Sequence, residues 1–569
     1  MIDTRRQRKR RPRLSPGVVI LALILLAVVG YLAYPVLLEH VPTNQMAEPP
    51  DPNNPVLIVD GVEVSGRPYI SQGTILLPID VVREYFDPYI FWDEDTRSVV
   101  ITTRDRLVKM STESLTAFVN REPLLLNVPV MLLDDEVYVP MDVLEPLYSV
   151  RGRYYSEAAT VFYDNLTKQI ETAIVARKNA VLRTGASIRE PIVKRLAENE
   201  PLRVVAFGDG WYIAGTQSGH YGFVNERDIE HTEPILPEVP DKVFSPPWQP
   251  DGKINLTWEH VLNRNPDTSQ IPDMPGLNVI SPTWFSLLDE HGTIENKADA
   301  AYVRWAHQKG LQVWALVDNG FDPKRTSPVL RSLELREAVI QQLLAYAALY
   351  DLNGINIDFE NVYYEDKDYL TQFVRELAPL CREQGLVLSM DVTVKSTSRN
   401  WSMVYDRRAL GEVLDYMMVM AYDEHPSASR TAGSVGSLPW VEKGITGVLE
   451  EVPAKKVLLG VPFYTRLWCE ETKDGVFTVT SRALGMQQIE QILSDKSAVI
   501  QWDAATGQNF GVFRDGGAQY KVWIEDERSM ASRVALVHKY SLAGIASWRR
   551  GFEKPEIWHV IKEGLERTP

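Results

Sequence analysis

The sequence predicts a multidomain chain whose C-terminal part is an α/β barrel of the (β/α)8 type, a TIM barrel, with a small α+β insertion. Three observations lead there. The chain has 569 residues, too long for one ordinary domain. From Asp251 onward, strand-like runs alternate with amphipathic helical stretches. Within that region, residues 353–362 read NGINIDFENV, so that Ile355, Ile357 and Phe359 alternate with Asn356, Asp358 and Glu360. A period of two sends the apolar set beneath covering helices and the polar set into a barrel interior. Glu360 then falls at the carboxyl end of its strand, the end where parallel barrels carry reactive groups.

Composition narrows the class. Apolar content of 45% and charged content of 24% are those of folded protein. A net charge of -16 argues against general nucleic-acid binding. That sum hides seven Arg or Lys among the first thirteen residues. Two cysteines, Cys381 and Cys469, are too few for a disulfide framework or a zinc cluster, and whether they pair is open.

In chain order, residues 1–16 form a basic tail ahead of an uncharged apolar run, 17–38. The run is long enough to cross a bilayer as a helix and is longer than a usual signal-peptide core. With the basic residues retained inside, the expectation is a single-pass signal anchor, its N-terminus cytoplasmic and everything after it extracellular. A cleaved signal peptide is the main rival. Residues 39–54, rich in Pro, Asn and Asp, read as a spacer.

Residues 55–165 contain an internal repeat. ILLPIDVVREYF (75–86) is echoed by VYVPMDVLEPLY (137–148), with Pro78 over Pro140 and Asp80 over Asp142. Each unit reads as a strand, a short helix capped by the Asp, and a further strand. The pattern resembles the copper amine oxidase N-terminal domain, although no His or Cys occurs here to bind copper. Residues 170–232 are short alternating strands whose tail, GDGWYIAGTQSGHYGFVNERDI, resembles bacterial SH3 domains. Trp211, Tyr212 and Tyr221 there could line a ligand groove or simply fill a small barrel core. Residues 233–250, with six prolines, read as a linker.

The barrel is expected over 251–569, with strands INLTW, LNVISPTW, LQVWALV, GINIDFE, LVLSMDVT, YMMVMAYD, VLLGVPFY and AGIASW. Helices are expected at 298–309, 332–350, 366–384 and 529–540. Two carboxylates two residues apart on one buried face are costly unless they share protons or hydrogen bonds. The arrangement raises a pKa, which suits a general acid working near neutral pH.

Eight strands with NGINIDFE as the fourth resemble glycoside hydrolase family 18, whose fourth strand carries DxxDxDxE. The resemblance covers 251–569 and places Glu360 on the catalytic acid and Asp358 on the residue orienting a substrate N-acetyl group. It places Met420, Tyr422 and Asp423 of VMAYDEH at the acetamido group, and Trp548 under the reacting sugar. SPTW (281–284) and GVPFYTRLW (460–468) match further strands, adding Trp284 and Tyr464 as substrate-binding candidates together with Asn356. KVWIEDERS (521–529) resembles a late signature of the spore-cortex and wall-associated branch.

Two departures stand out: the first and second Asp of the pattern are Asn353 and Asn356 here. Asn356 cannot share a proton as a carboxylic acid would, so weakened coupling to Asp358 and an altered pH optimum are expected. The resemblance implies a retaining, substrate-assisted hydrolase of 2-acetamido glycans, peptidoglycan or chitin-like, with no metal or organic cofactor. The alternative is a lectin-like, non-catalytic wall protein on the same fold; the presence of Glu360, Asp358 and Tyr422 favours the enzyme.

Overall fold

The structure, a computed structural model, describes residues 16–39, 41–237 and 248–567. The basic tail up to residue 15 and the centre of the Pro-rich linker lie outside them. The chain divides into two compact units, Met1–Phe86 with Met131–Lys242, and Asp87–Val130 with Val243–Pro569.

The first unit begins with a helix, Pro16–Glu39. Its described apolar side chains, such as Leu21, Leu26 and Leu32, are exposed. The span expected to cross a membrane falls on this helix, but its side chains from Ala33 onward lie outside the described residues. Among the described residues no helix is long and apolar enough to cross a membrane. The repeat follows as two matching pieces, strand Thr74–Pro78 into helix Ile79–Tyr85, and strand Glu136–Pro140 into helix Met141–Tyr148. Their strands pair antiparallel with Tyr138 opposite Pro78. The expected Asp caps are not formed. Pro78 and Pro140 occupy the N-cap positions, and Asp80 and Asp142 sit in the first turn, where a negative charge still meets the helix dipole favourably.

Residues 172–231 form a seven-stranded antiparallel sheet with a small core of Val175, Leu182, Val204, Ala214 and Val224. All three aromatic groove candidates are tied into packing, Tyr212 against the small core and the His231 ring. Trp211 is buried. Tyr221 packs its ring on Phe162 and accepts a hydrogen bond from the Glu63 backbone N–H at 3.1 Å.

The second unit is built on eight parallel strands: β1 Ile254–Glu259, β2 Val279–Leu287, β3 Gln312–Asp318, β4 Gly354–Asp358, β5 Val387–Thr393, β6 Tyr416–Met420, β7 Val457–Pro462 and β8 Gly544–Trp548. Each pairs with its sequence neighbour, and β1 pairs with both β2 and β8, so the sheet closes. The eight expected strands are these. The helices Ala300–Gln308, Leu333–Tyr350, Lys367–Glu383 and Glu527–Lys539 stand within two residues of expectation.

Ile355, Ile357 and Phe359 join the large core between strands and helices, with Phe359 stacked on Phe373 of the Lys367–Glu383 helix. A second core fills the barrel itself with Trp258, Trp314, Leu316, Met418 and Ala546. This filled interior pushes chemistry to the strand ends. The α+β insertion lies between β7 and β8, a five-stranded antiparallel sheet with the helix Met486–Asp495 packed on it.

The sheet Phe91–Leu125 belongs to this second unit and docks on the barrel's helical layer. Val100 and Leu107 enter the barrel's outer core. Arg375 lies 3.8 Å from the Tyr89 ring and donates to the Thr102 carbonyl at 3.1 Å. Lys109 pairs with Glu337 at 2.8 Å. The two copies of the repeat thus continue differently: after the first helix the chain joins the barrel unit, and after the second it stays in the first unit.

Candidate active site

A cavity of about 390 Å³ opens at the carboxyl ends of the barrel strands. It gathers Asp358 from β4 and Glu360 just past it, Met420, Tyr422 and Asp423 from β6 and the loop after it, Tyr464 after β7 and Trp548 from β8. Seven of the nine residues singled out in the sequence meet there.

The other two do not. Trp284 is fully buried; its indole N–H donates to Asn265 Oδ1 at 2.6 Å and its ring packs edge-on against Tyr302. With no exposed face it cannot stack on a sugar. Asn356 is also fully buried and lies below the cavity, accepting from Ser389 Oγ at 2.8 Å and donating to Asp391 Oδ2 at 2.8 Å. Both residues support the site from beneath or behind it.

Glu360 is held by its backbone. Its N–H donates to Asn319 Oδ1 at 3.0 Å, and its carbonyl accepts from Asn319 Nδ2 at 2.8 Å. Asn319, just past β3, is itself buried and bonded to Thr326. This two-point clamp fixes where the carboxyl group emerges. Burial, followed by the negative charges of Asp423 and Asp318, raises the Glu360 pKa to about 7. Much of it therefore remains a carboxylic acid at neutral pH, able to donate a proton.

Asp358 is buried and its Oδ1 has no protein hydrogen-bond partner. Burial, then the charges of Glu360, Asp391 and Asp318, push its carboxyl group well above the usual carboxylate range. The Tyr422 phenol is held neutral by burial and by the surrounding acids, leaving it a hydrogen-bond donor to whatever enters the cavity. Asp423, with a left-handed backbone at φ 63°, accepts from Tyr464 Oη at 2.6 Å and Arg466 at 2.7 Å. Those two bonds hold an uncommon conformation in place.

Trp548 is positioned from outside the cavity. Glu259 at the end of β1 accepts from Tyr302 Oη at 3.1 Å and from Arg550 at 2.8 Å, tying the loop after β8 back to β1. The Trp548 ring lies 5.9 Å from Trp258 and 5.8 Å from His260, and it lines the cavity.

The structure adds residues that sequence reasoning missed. Asp318 lines the cavity and accepts from Ser286 Oγ at 2.7 Å; His260 and Lys297 line it as well. Burial and the cations Arg549 and Lys297 keep the His260 ring neutral. The most consequential is Asp391 on β5, buried and lining the cavity. It overturns the expectation that carboxylate coupling is weakened by Asn356, because a third acid arrives from the neighbouring strand. LSMDVT carried the signal, an Asp on the inward phase of a barrel strand. Only strand register makes it a neighbour of Asp358: Ile357 pairs with Met390, so the next residues along lie side by side.

The late signature has a structural role. Glu525 forms a buried ion pair with Arg533, and Asp526 caps the Glu527–Lys539 helix through its Arg528 and Ser529 N–H groups.

Residues 272–553 match glycosyl hydrolases family 18, and residues 58–163 match the copper amine oxidase N-terminal domain. The glycosylase YdhD of Bacillus subtilis (strain 168) is 31% identical over 300 residues, covering 50% of this chain and 69% of that protein. The cortical fragment-lytic enzyme of the same organism is 26% identical over 252 residues, covering 44% of this chain and 58% of that enzyme. Among solved structures, the spore cortex-lytic enzyme SleL of Bacillus megaterium QM B1551 superposes with a TM-score of 0.50 at 20% identity, covering 60% of this chain and 78% of that one. That last likeness is one of fold. With the acid just past β4, Trp548 at the end of β8 and these matches, the chain belongs to glycosyl hydrolases family 18 and is a glycoside hydrolase.

Proposed function

We propose that the enzyme cleaves β-linked, N-acetylglucosamine-containing glycan, with peptidoglycan as the foremost substrate, by a retaining, substrate-assisted mechanism. The observation that carries this reading is Glu360, a clamped acid with a pKa of about 7 in a cavity that Asp358 and Tyr422 also line. Glu360 protonates the leaving glycosidic oxygen. The substrate's own acetamido oxygen attacks the anomeric carbon and forms an oxazolinium ion, so no protein nucleophile is needed. Asp358 and Tyr422 hold the acetamido group and stabilise the positive charge that develops on it. Glu360, now a carboxylate, activates the water that opens the ring and recovers its proton.

The wall assignment is supported by the relative named a cortical fragment-lytic enzyme and by the basic tail and apolar run at the N-terminus. On this reading residues 17–38 anchor the chain in the cell membrane with the N-terminus cytoplasmic and the barrel outside. The seven-stranded sheet at 172–231 is an SH3-like module that contacts the wall.

The test is release of reducing ends from purified peptidoglycan and from chitin oligosaccharides by the full chain and by its Glu360→Gln variant. The full chain is used because the Phe91–Leu125 sheet packs on the barrel. Peptidoglycan cleavage lost in the variant is the expected result. Cleavage of chitin oligosaccharides alone overturns the wall assignment, and glycan binding without cleavage of either overturns the substrate assignment. For the anchor, fractionation of cells carrying the chain with and without residues 1–38 is decisive: recovery of both forms in the soluble fraction sinks it.

A further inference from the structure

Asp391 has no part in the mechanism just described, yet its surroundings are unusual for a buried acid. Arg336–Glu376 and Arg533–Glu525 show how this fold ordinarily buries a carboxylate, against a guanidinium. Asp391 has no cation. Its Oδ2 accepts from Asn356 Nδ2 at 2.8 Å, and its Oδ1, though buried, has no protein hydrogen-bond partner. Asp358, adjacent by register on β4, is in the same condition at its own Oδ1. The groups facing the pair are mostly acids or phenols: Glu360 just past β4, Asp318 on β3, Asp423 and Tyr422 beyond β6, and Tyr405 after β5. His260 and Lys297 line the same cavity, and His260 feels the charge of Asp318.

Two carboxylates placed side by side without a cation cannot both ionise, and the stable state holds one proton between them. Asn356 orients Asp391. Its N–H occupies Asp391 Oδ2, Ser389 in turn holds the Asn356 carbonyl end, and the Trp258 indole N–H also bears on Asp391, so the carboxyl group is held from below while register sets it beside Asp358.

We propose that Asp391 is a positioning residue, sharing a single proton with Asp358 across the β4–β5 boundary. When the proton passes from Asp358 to Asp391, Asp358 becomes the anion beside the positively charged part of the reacting sugar. When it returns, Asp358 is neutral and the negative charge rests on Asp391. The pair keeps a net charge of −1 throughout, and no other proton donor is required. Asn356 is then not a defect in the strand but the donor that orients Asp391. This inference rests on the acetamido-directed mechanism proposed above.

The experiment follows hydrolysis of a methylumbelliferyl chito-oligosaccharide, from about pH 4 to about pH 9, by wild-type enzyme, Asp391→Asn, and Asn356→Asp/Asp391→Asn. The double variant moves the carboxylate back onto β4. Asp391→Asn is expected to lower kcat by about 10–100-fold with KM little changed, the scale on which an outer partner orients a reactive group. Its acid limb moves to higher pH, because the Asp358 anion is no longer stabilised by the proton that Asp391 shares with it. The double variant is expected to recover both kcat and the wild-type acid limb. A merely structural role for Asp391 leaves the limb unmoved.

Wild-type kcat and an unshifted limb in folded Asp391→Asn overturn the proposal, as does a double variant no faster than the single one. If the wild-type enzyme hydrolyses neither this substrate nor peptidoglycan, the substrate reading fails, and proton sharing is decided by infrared spectroscopy at about pH 8. Loss of one protonated-carboxyl band in Asp391→Asn supports sharing, and an unchanged band overturns it.

Discussion

The barrel buries charge in two contrasting ways. In the helical layer, Arg336 and Glu376 meet at 2.9 Å with both side chains almost fully buried, and Arg336 also donates to the Leu330 carbonyl. Glu525 is treated similarly by Arg533 and Ser529. At the strand ends, Asp358, Glu360 and Asp391 crowd one cavity with no guanidinium among them. The first arrangement compensates the cost of desolvation by pairing; the second leaves it uncompensated, so the acids hold on to their protons. Glu376 and Glu525 are paired, and Asp358, Glu360 and Asp391 are not.

The comparison breaks most sharply at Glu360. Glu360→Gln keeps the shape and removes the proton donor, so turnover is expected to fall by about 10²–10⁴-fold with the fold intact by circular dichroism. Near-normal turnover would mean that the unpaired acids are not there for catalysis.

Next in size is Arg336→Ala, which strands Glu376 in the helical layer. A stability loss of about 3–5 kcal/mol in denaturant titration is expected, whereas replacing both partners by apolar residues of similar volume should cost far less. Turnover per folded molecule should be unchanged. A large kinetic effect would erase the distinction between the two kinds of burial.

The uncompensated acid also predicts a gain. Glu360 binds its proton more tightly folded than unfolded, because its pKa is raised to about 7. The penalty is absent below about pH 4, where both states are protonated. It grows as pH climbs through the unfolded value toward the folded one. Glu360→Gln should therefore be more stable than the wild type at about pH 8, by about 1–3 kcal/mol, and no more stable at about pH 4. For the same reason kcat/KM of the wild-type enzyme should decline above about pH 7 as the acid loses its proton. A flat profile into the alkaline range would place the essential proton elsewhere.

The smallest expected effects separate two tryptophans. Trp548→Phe should raise KM with modest change in stability, since its ring borders the cavity. Trp284→Phe should cost stability on the order of 1 kcal/mol through the lost Asn265 bond and leave KM alone. Glycan titration and thermal melts read the two quantities independently.

Much of this organisation was legible in the chain. The period-two run of NGINIDFE, with seven other strand-like runs, specifies the strands, and for residues 355–360 the structure assigns the two faces as the alternation predicts. Glu360, Asp358 and Tyr422 were legible because they lie within single strands or immediately after them. Trp284 was not: a tryptophan near a strand end reads the same whether its ring turns to the cavity or to the helix Ala300–Gln308, and only packing against Tyr302 decides. The first-turn place of Asp80 and Asp142 was misread because the proline before each helix takes the cap position.

By itself, then, the sequence determined the eight-stranded barrel, the acid at the end of β4 and the family, since local periodicity and short motifs hold that information within a few consecutive residues. Tertiary structure alone decided the neighbours: that Asp391 stands beside Asp358, that Asn319 clamps Glu360, and that residues 91–125 leave the repeat to pack on the barrel. Those relations depend on strand register and long-range packing between segments tens to hundreds of residues apart, and no local pattern encodes which distant side chain will share a buried proton.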